Sequence, residues 1–161
     1  MKRKTKGQWL GLAVVLLVAG VLALPARPAI KSLAVVTAAG SKLQDVPLAD
    51  LVKMCKGTQK AWSDGRSFTL VMKDPESPEM HVASQKLFGA ASSDVKASIA
   101  KMNESRQVIK IVDSDEELLR TVEATPGAVG ILDVYAINSS VKVLRIDGKL
   151  PFDVGYVLKG N

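Results

Sequence analysis

An uninterrupted apolar run at residues 68–72 constrains the fold of this chain more than any other feature. Turn-forming residues bound it on both sides, with Asp64-Gly65 before it and Asp74-Pro75 after it. A strand that lacks polar residues at alternate positions is typical of a sheet buried on both faces. The run therefore predicts a central strand with further layers of structure above and below it.

Apolar, β-branched runs alternate with segments of helical spacing along most of the chain. Strands are predicted at residues 33–37, 68–72, 107–112, 128–132 and 141–146, with a last strand at 152–158. Helices are predicted at residues 47–56, 78–88, 92–102 and 114–122. The last of these begins with a capping box, in which Ser114 caps the helix and Glu117 follows three residues later. This alternation predicts a three-layer α/β fold with a mainly parallel sheet.

The N-terminus has the layout of a secretory signal peptide. Lys2, Arg3, Lys4 and Lys6 precede an apolar stretch at residues 10–24, and small residues and prolines follow at 25–29. We expect residues 1–29 to be removed, which leaves 30–161 as one domain that is periplasmic or otherwise exported. An uncleaved membrane anchor is the alternative, although the apolar stretch is short for a full span. The membrane is then expected to contact the chain only through this segment.

The positive net charge belongs mostly to that N-terminal segment. The whole chain carries +6 at pH 7, and residues 1–29 hold five cationic residues and no acidic one, so the remaining domain carries +1. Nucleic-acid binding requires a basic face on the folded domain, so we predict none. Cys55 is the only cysteine, which excludes an internal disulfide. It lies in an apolar helical stretch and is predicted to be buried.

Residues suited to catalysis are scarce. His81 is the only histidine and has no cysteine nearby, which argues against a zinc site. The acidic run Asp113 to Glu117 is predicted to complement the dipole of the helix that starts there. No nucleophile elbow or phosphate-loop motif is present. We therefore predict no cofactor and no enzymatic activity, with a small periplasmic hydrolase as the disfavoured alternative.

A candidate anion site follows the central strand. Lys73 stands at the end of the strand, and Ser77 directly precedes the helix predicted at 78–88. The free N–H groups of a helix start attract anions, and ligand sites in open α/β sheets lie beyond the carboxyl ends of the strands. Lys73 would supply the charge and Ser77 a hydroxyl donor, with Ser41 after the first strand as a third candidate. An ordinary strand–helix loop with a surface lysine and a capping serine is the alternative.

Two short motifs resemble the phosphate-binding periplasmic proteins of ABC transporters. They are Trp62-Ser63-Asp64-Gly65-Arg66 and Thr125-Pro126-Gly127-Ala128-Val129-Gly130, and the similarity runs from about residue 33 to the C-terminus. The resemblance implies one lobe of a type 2 periplasmic-binding-protein-like fold, since family members have two lobes and this domain has about half their length. It also implies a small, phosphate-like oxyanion as ligand and a transporter or other envelope protein as partner.

The candidate site departs from the family pattern. In the family an Arg and then a Ser-Gly-Thr sequence after the central strand hold phosphate, and the resemblance places Lys73 on the Arg and Ser77 on the Ser. Pro78 and Glu79 then replace the Gly and the Thr. Proline lacks an N–H donor, glutamate puts a negative charge in the first helical turn, and lysine lacks the bidentate grip of arginine.

Two hypotheses for function stay open on these residues. In the first, the chain is an exported solute-binding-like protein that binds a small oxyanion weakly. In the second, it is an envelope interaction module that keeps the fold and binds no ligand.

Overall fold

The computed structural model describes residues 32–160, and the predicted signal segment 1–29 lies outside the described residues. The strands are β1 (Leu33–Ala38), β2 (Asp45–Val46), β3 (Thr69–Met72), β4 (Ile109–Ile111), β5 (Ala128–Asp133), β6 (Val141–Val143) and β7 (Arg145–Ile146). The helices are α1 (Leu48–Cys55), α2 (His81–Ala83), α3 (Ser92–Met102) and α4 (Asp115–Ala124). A 3-10 turn (Pro78–Met80) leads into α2 and a π-helical turn (Ser84–Phe88) continues it, so residues 78–88 form one helical segment. A further 3-10 turn, Val134–Ala136, follows β5.

The main sheet has five strands in the order β4-β3-β5-β1-β6. Strand β3 lies between β4 and β5 and is parallel to both, whereas β1 is antiparallel to β5 and to β6. Four strands therefore run in one direction and β1 runs against them, which confirms a mainly parallel α/β sheet. The short strands β2 and β7 form a separate parallel pair.

Both faces of the sheet are buried, as the apolar run at 68–72 predicts. Successive residues of β3 belong to different hydrophobic clusters, because Leu70 and Met72 lie in one and Val71 lies in the other. The first cluster includes apolar residues of α1, α3 and the helical segment 78–88, and the second includes those of α4. The domain therefore has three layers. None of the helices between residues 32 and 160 combines the length and the apolarity needed to cross a membrane.

Helix α4 begins as its capping box predicts. The Ser114 hydroxyl accepts a hydrogen bond from the Glu117 backbone N–H at 3.1 Å. The helix then packs closely on the sheet at Gly130 of β5, where an added Cβ would lie 2.6 Å from Leu118 Cδ2. The cap and this close approach hold the first turn of α4, including Asp115, at the carboxyl ends of the parallel strands.

The C-terminal part of the fold differs from the prediction in two places. Residues 141–146 do not form one strand, because the chain leaves the main sheet after β6 and enters the small sheet as β7. Leu144 marks the change: its N–H donates to Val35 O at 2.8 Å, and the next N–H, of Arg145, donates to Gln44 O at 2.9 Å. The strand predicted at 152–158 is wrong, since that segment is a series of turns. Its last residue, Leu158, accepts the Leu33 N–H at 2.9 Å, next to a bridge between Ser32 and Lys159.

Candidate functional site

Lys73 directly follows β3, at the edge where the parallel strands β3, β4 and β5 end. Its side chain is only 13% exposed. The ammonium group is in contact with two carboxylates, at 2.7 Å from Glu79 Oε1 and 2.7 Å from Asp115 Oδ1. The cation predicted to attract a ligand is thus surrounded by two negative charges of the protein itself.

Lys73, Glu79 and Asp115 form an ion-pair cluster, and each comes from a different element of the fold. Glu79 lies in the 3-10 turn that opens the helical segment 78–88, and Asp115 is the first residue of α4. Burial alone would lower the pKa of Lys73, but the ion pairs that its ammonium makes with the Asp115 and Glu79 carboxylates outweigh burial and raise that pKa above its usual value. Lys73 therefore stays protonated, and its charge is exceeded by that of its two partners.

Ser77 lies on the same loop as Lys73, but its hydroxyl is already engaged. Ser77 Oγ donates to Asp74 O at 2.7 Å, and the Ser77 backbone N–H donates to the same carbonyl at 2.9 Å. The loop is tied further by Lys96, whose ammonium lies 2.9 Å from Asp74 Oδ2 and 3.1 Å from Glu76 Oε2. The Ser77 hydroxyl is therefore not a free donor, and the two acids of the loop are paired with Lys96.

Ser41 lies away from the other two predicted site residues. Because β1 is antiparallel to β5, the residues after β1 emerge at the edge where β3 and β5 begin, opposite to Lys73. There the Ser41 hydroxyl accepts a hydrogen bond from Leu43 N at 3.2 Å. The structure therefore brings Lys73 and Ser77 together and separates Ser41 from them.

The two sequence motifs at 62–66 and 125–130 meet at the opposite edge, where they have a structural role. Trp62 Nε1 donates to Gly127 O at 2.8 Å, and the Trp62 ring packs edge-on against Phe68 with centroids 5.5 Å apart. Gly127 has φ +80°, and a Cβ there would lie 2.5 Å from Ser67 O. Only glycine fits this left-handed turn against a neighbouring backbone.

Asp115 is the member of the cluster that sequence reasoning missed. The interpretation of the acidic run at the start of α4 as a complement to the helix dipole assigns Asp115 no contact with Lys73. The contact could have been predicted from the position of the acidic run after the strand at 107–112. Neighbouring parallel strands end at the same edge of a sheet, so the residues that follow them lie close together. Within residues 32–160, His, Cys, Asp and Glu side chains form no group of three or more that could hold a metal ion.

Comparison with known proteins finds a partial sequence similarity. Over 63 residues the chain is 38% identical to "Phosphate-binding protein PstS 2" of Streptococcus agalactiae, a match that covers 39% of this chain and 21% of the relative. No protein-family model matches the chain.

Two solved structures show the fold that this chain shares. The PstS structure from Borrelia burgdorferi aligns with a TM-score of 0.61 and 15% identity, over 82% of this chain and 55% of that one. An ABC-type phosphate transport receptor from Vibrio cholerae aligns with a TM-score of 0.58 and 15% identity, over 76% and 48%. Over part of its length the chain is therefore similar to a phosphate-binding protein, and its fold is similar to that of an ABC-type phosphate transport receptor.

The relationship covers only part of those receptors. The curated match spans about a fifth of the relative, and the structural matches span about half of the solved chains. At these identities the solved structures establish the fold, which is one lobe of a type 2 periplasmic-binding-protein-like fold.

Proposed function

We propose that this chain is an exported receptor-like lobe that acts as an interaction module of the cell envelope rather than as a free anion receptor. The observation that carries the proposal is the position of Lys73 between Glu79 and Asp115, at 2.7 Å from each. Neither a cofactor nor a catalytic step is part of this role. Export is inferred from the signal-like segment 1–29, and the N-terminal residue of the secreted chain, read by mass spectrometry, tests it.

The charges around Lys73 oppose the binding of an oxyanion. An incoming phosphate would have to displace at least one carboxylate from the ammonium and then lie beside it, and like charges at such distances repel strongly in a partly buried site. Glu79 also occupies the first turn of the helical segment, where the positive end of the helix would otherwise favour the anion.

The other donors expected of an anion site are also reduced. Pro78 has no backbone N–H, and the Ser77 hydroxyl already donates to Asp74 O. A phosphate at this loop would therefore meet few free hydrogen-bond donors. These losses support an interaction role, with a transporter component or another envelope protein as partner.

Weak oxyanion binding is the second candidate function. It is favoured by the 38% identical match to a relative described as phosphate-binding, and by the position of Lys73 and Ser77 at the carboxyl edge of the sheet. In this case the anion replaces Glu79 as a partner of the Lys73 ammonium. The affinity would then be low, and binding would depend on both Lys73 and Ser77.

Calorimetric titration of residues 30–161 with phosphate, and separately with sulfate, distinguishes the two functions. We expect no binding by the wild type. We expect the variant Glu79→Gln with Asp115→Asn to gain phosphate binding, because Lys73 is then free of its partners. Lys96→Met, which removes an exposed lysine of α3 that pairs with Asp74 and Glu76, serves as the matched control.

The same titration can overturn the proposal. Wild-type binding tighter than about 1 mM, which corresponds to about −4 kcal/mol, would identify a working receptor site if Lys73→Met or Ser77→Ala abolished it. If neither the wild type nor the double variant binds phosphate, the result is consistent with the interaction role and shows that this loop holds no masked anion site.

A further inference from the structure

A groove with cationic walls lies at the edge of the sheet where β3 and β4 begin, opposite to Lys73. Its volume is about 380 Å³. The segment that follows α1 forms one wall, and the end of α3 with the loop after it forms the other. We call it the lysine groove, and its polar lining residues are Lys56, Lys60, Ser98, Lys101 and Ser105.

The charge of the lysine groove is almost entirely positive. Three exposed lysines line it and no carboxylate does. The two wall segments, 56–60 and 98–106, contain four cationic residues and a single acid, Glu104. Within residues 32–160 the three lysines form no ion pair with a carboxylate. In contrast to Lys73, their charges are therefore not neutralised by the protein itself.

Hydrogen bonds fix the two walls of the groove relative to each other. The Arg106 guanidinium donates to Lys60 O at 3.2 Å and to Phe68 O at 3.3 Å, which ties the loop after α3 to the segment before β3. Asn103 Oδ1 accepts the Val108 N–H at 2.9 Å and so holds the same loop against the start of β4. The groove backbone is thus ordered before a partner arrives, which lowers the entropic cost of binding.

The groove also offers apolar surface between its charged walls. Gly57 lies directly against Met102, since an added Cβ at Gly57 would lie 3.0 Å from Met102 Sδ. Val108, which is buried, lines the groove with them. An occupant therefore meets an apolar strip as well as positive charge.

These features fit a peptide with acidic and apolar side chains rather than a phosphate group. Helices α1 and α3 end beside the groove, at Cys55 and Met102, and the free groups of a helix C-terminus are carbonyls, whereas phosphate sites use the free N–H groups of a helix start. The strong donors of the groove are ammonium groups on separate flexible stems, which suit separate carboxylates. The apolar strip suits a neighbouring apolar side chain.

We propose that the lysine groove binds an acidic segment of a partner protein. The carboxylates of that segment pair with the three lysines, and an apolar side chain packs on Met102. The proposal deepens the interaction role proposed above and rests on it, because the occupant is a protein. The phosphate titration of the Lys73 cluster tests that role by itself, so a failure of the groove and a failure of the role give different results.

Nuclear magnetic resonance of isotope-labelled residues 30–161 locates the binding site, since both hydrophobic clusters lie within 32–160. The probe is the peptide Glu-Glu-Leu-Glu-Glu, and Gln-Gln-Leu-Gln-Gln is its matched control. We expect the acidic peptide to shift the Met102 methyl signal and the amide signals of residues 56–60, and the neutral peptide to shift neither. No shift in the groove at about 1 mM acidic peptide would overturn the proposal.

Charge reversal tests whether the groove lysines carry the binding. Lys60→Glu and Lys101→Glu should each weaken the affinity for the acidic peptide by about fivefold. Lys159→Glu is the matched control, because Lys159 is an exposed lysine beside Ser32, at the opposite edge of the sheet, and this variant should leave the affinity unchanged. Equal weakening by all three variants would overturn the proposal, because it would indicate a general attraction between the domain and the peptide.

Inorganic polyphosphate serves as the competitor that distinguishes a peptide from an anionic polymer. We expect it to displace the acidic peptide only weakly, because it has no side chain for the apolar strip. Polyphosphate that shifted the same groove signals and bound more tightly than the peptide would overturn the assignment of a protein segment and indicate an anionic polymer as the occupant.

Discussion

Removal of the Lys73 ammonium tests the energetics of the ion-pair cluster. In Lys73→Met the apolar part of the side chain is largely kept, but Glu79 and Asp115 lose their shared partner. At an effective dielectric constant of about 20, two unit charges about 5 Å apart repel by about 3 kcal/mol. The two carboxylates are 22% and 34% exposed, so solvent relieves part of this repulsion. We expect a loss of about 2–4 kcal/mol in the free energy of unfolding at pH 7.

Urea denaturation of residues 30–161, followed by Trp62 fluorescence and circular dichroism, measures this loss. Adding Glu79→Gln and Asp115→Asn to Lys73→Met removes the repelling charges, so the triple variant should regain most of the lost stability. Lys96→Met is the control, because it breaks exposed ion pairs and should cost at most about 1 kcal/mol. If Lys73→Met were no more destabilising than Lys96→Met, the cluster would not be the strong element that its geometry indicates.

The loss of unfolding free energy in Lys73→Met depends on pH in a direction that the pKa of Lys73 determines. The pKa of Lys73 is raised in the folded protein, because its bonds to Asp115 and Glu79 outweigh the opposing effect of burial. Its contribution to stability is therefore fully present below the unfolded lysine pKa of about 10.4, and is lost as pH rises through the folded value. The difference in unfolding free energy between wild type and Lys73→Met should stay constant near neutrality and shrink as the pH rises through the folded pKa of Lys73.

Two further predictions concern the scaffold. Gly127→Ala should lower the free energy of unfolding by about 3 kcal/mol or more, because the strain of a left-handed alanine adds to a close contact with Ser67 O. Gly65→Ala is the control, because Gly65 has a similar positive φ but open space around it, and it should cost only about 1–2 kcal/mol in the same denaturation assay. Burial raises the pKa of the Cys55 thiol to about 12, so a thiol reagent should modify it only as the domain unfolds, and rapid modification of the native protein would contradict its buried position.

Local patterns were sufficient to predict most of the secondary structure. The apolar run at 68–72 correctly predicts a strand buried on both faces, and the Ser114 cap correctly predicts the start of α4. Both features depend on residues that are neighbours in the chain. The strand predicted at 141–146 is divided because Leu144 and Arg145 bond to different partners, Val35 and Gln44. Such a change of sheet depends on the position of distant strands, which the pattern of one segment does not contain.

The candidate site was predicted in part for the same reason. Glu79 follows Lys73 closely in sequence, so its opposition to an anion could be inferred from helix geometry. Asp115 reaches Lys73 only because β4 lies beside β3, and Ser41 lies at the far edge only because β1 runs against its neighbours. Strand order and direction are properties of the whole sheet, and they determine which loops meet.

A crystal structure of residues 30–161 grown in saturating phosphate decides whether Lys73 is available to an anion. We expect Lys73 Nζ to remain within hydrogen-bond distance of both Glu79 and Asp115, with no phosphate at the carboxyl edge of β3. A phosphate bound to Lys73 and Ser77, with Glu79 displaced from the ammonium, would refute the proposed interaction role and identify the chain as an anion receptor.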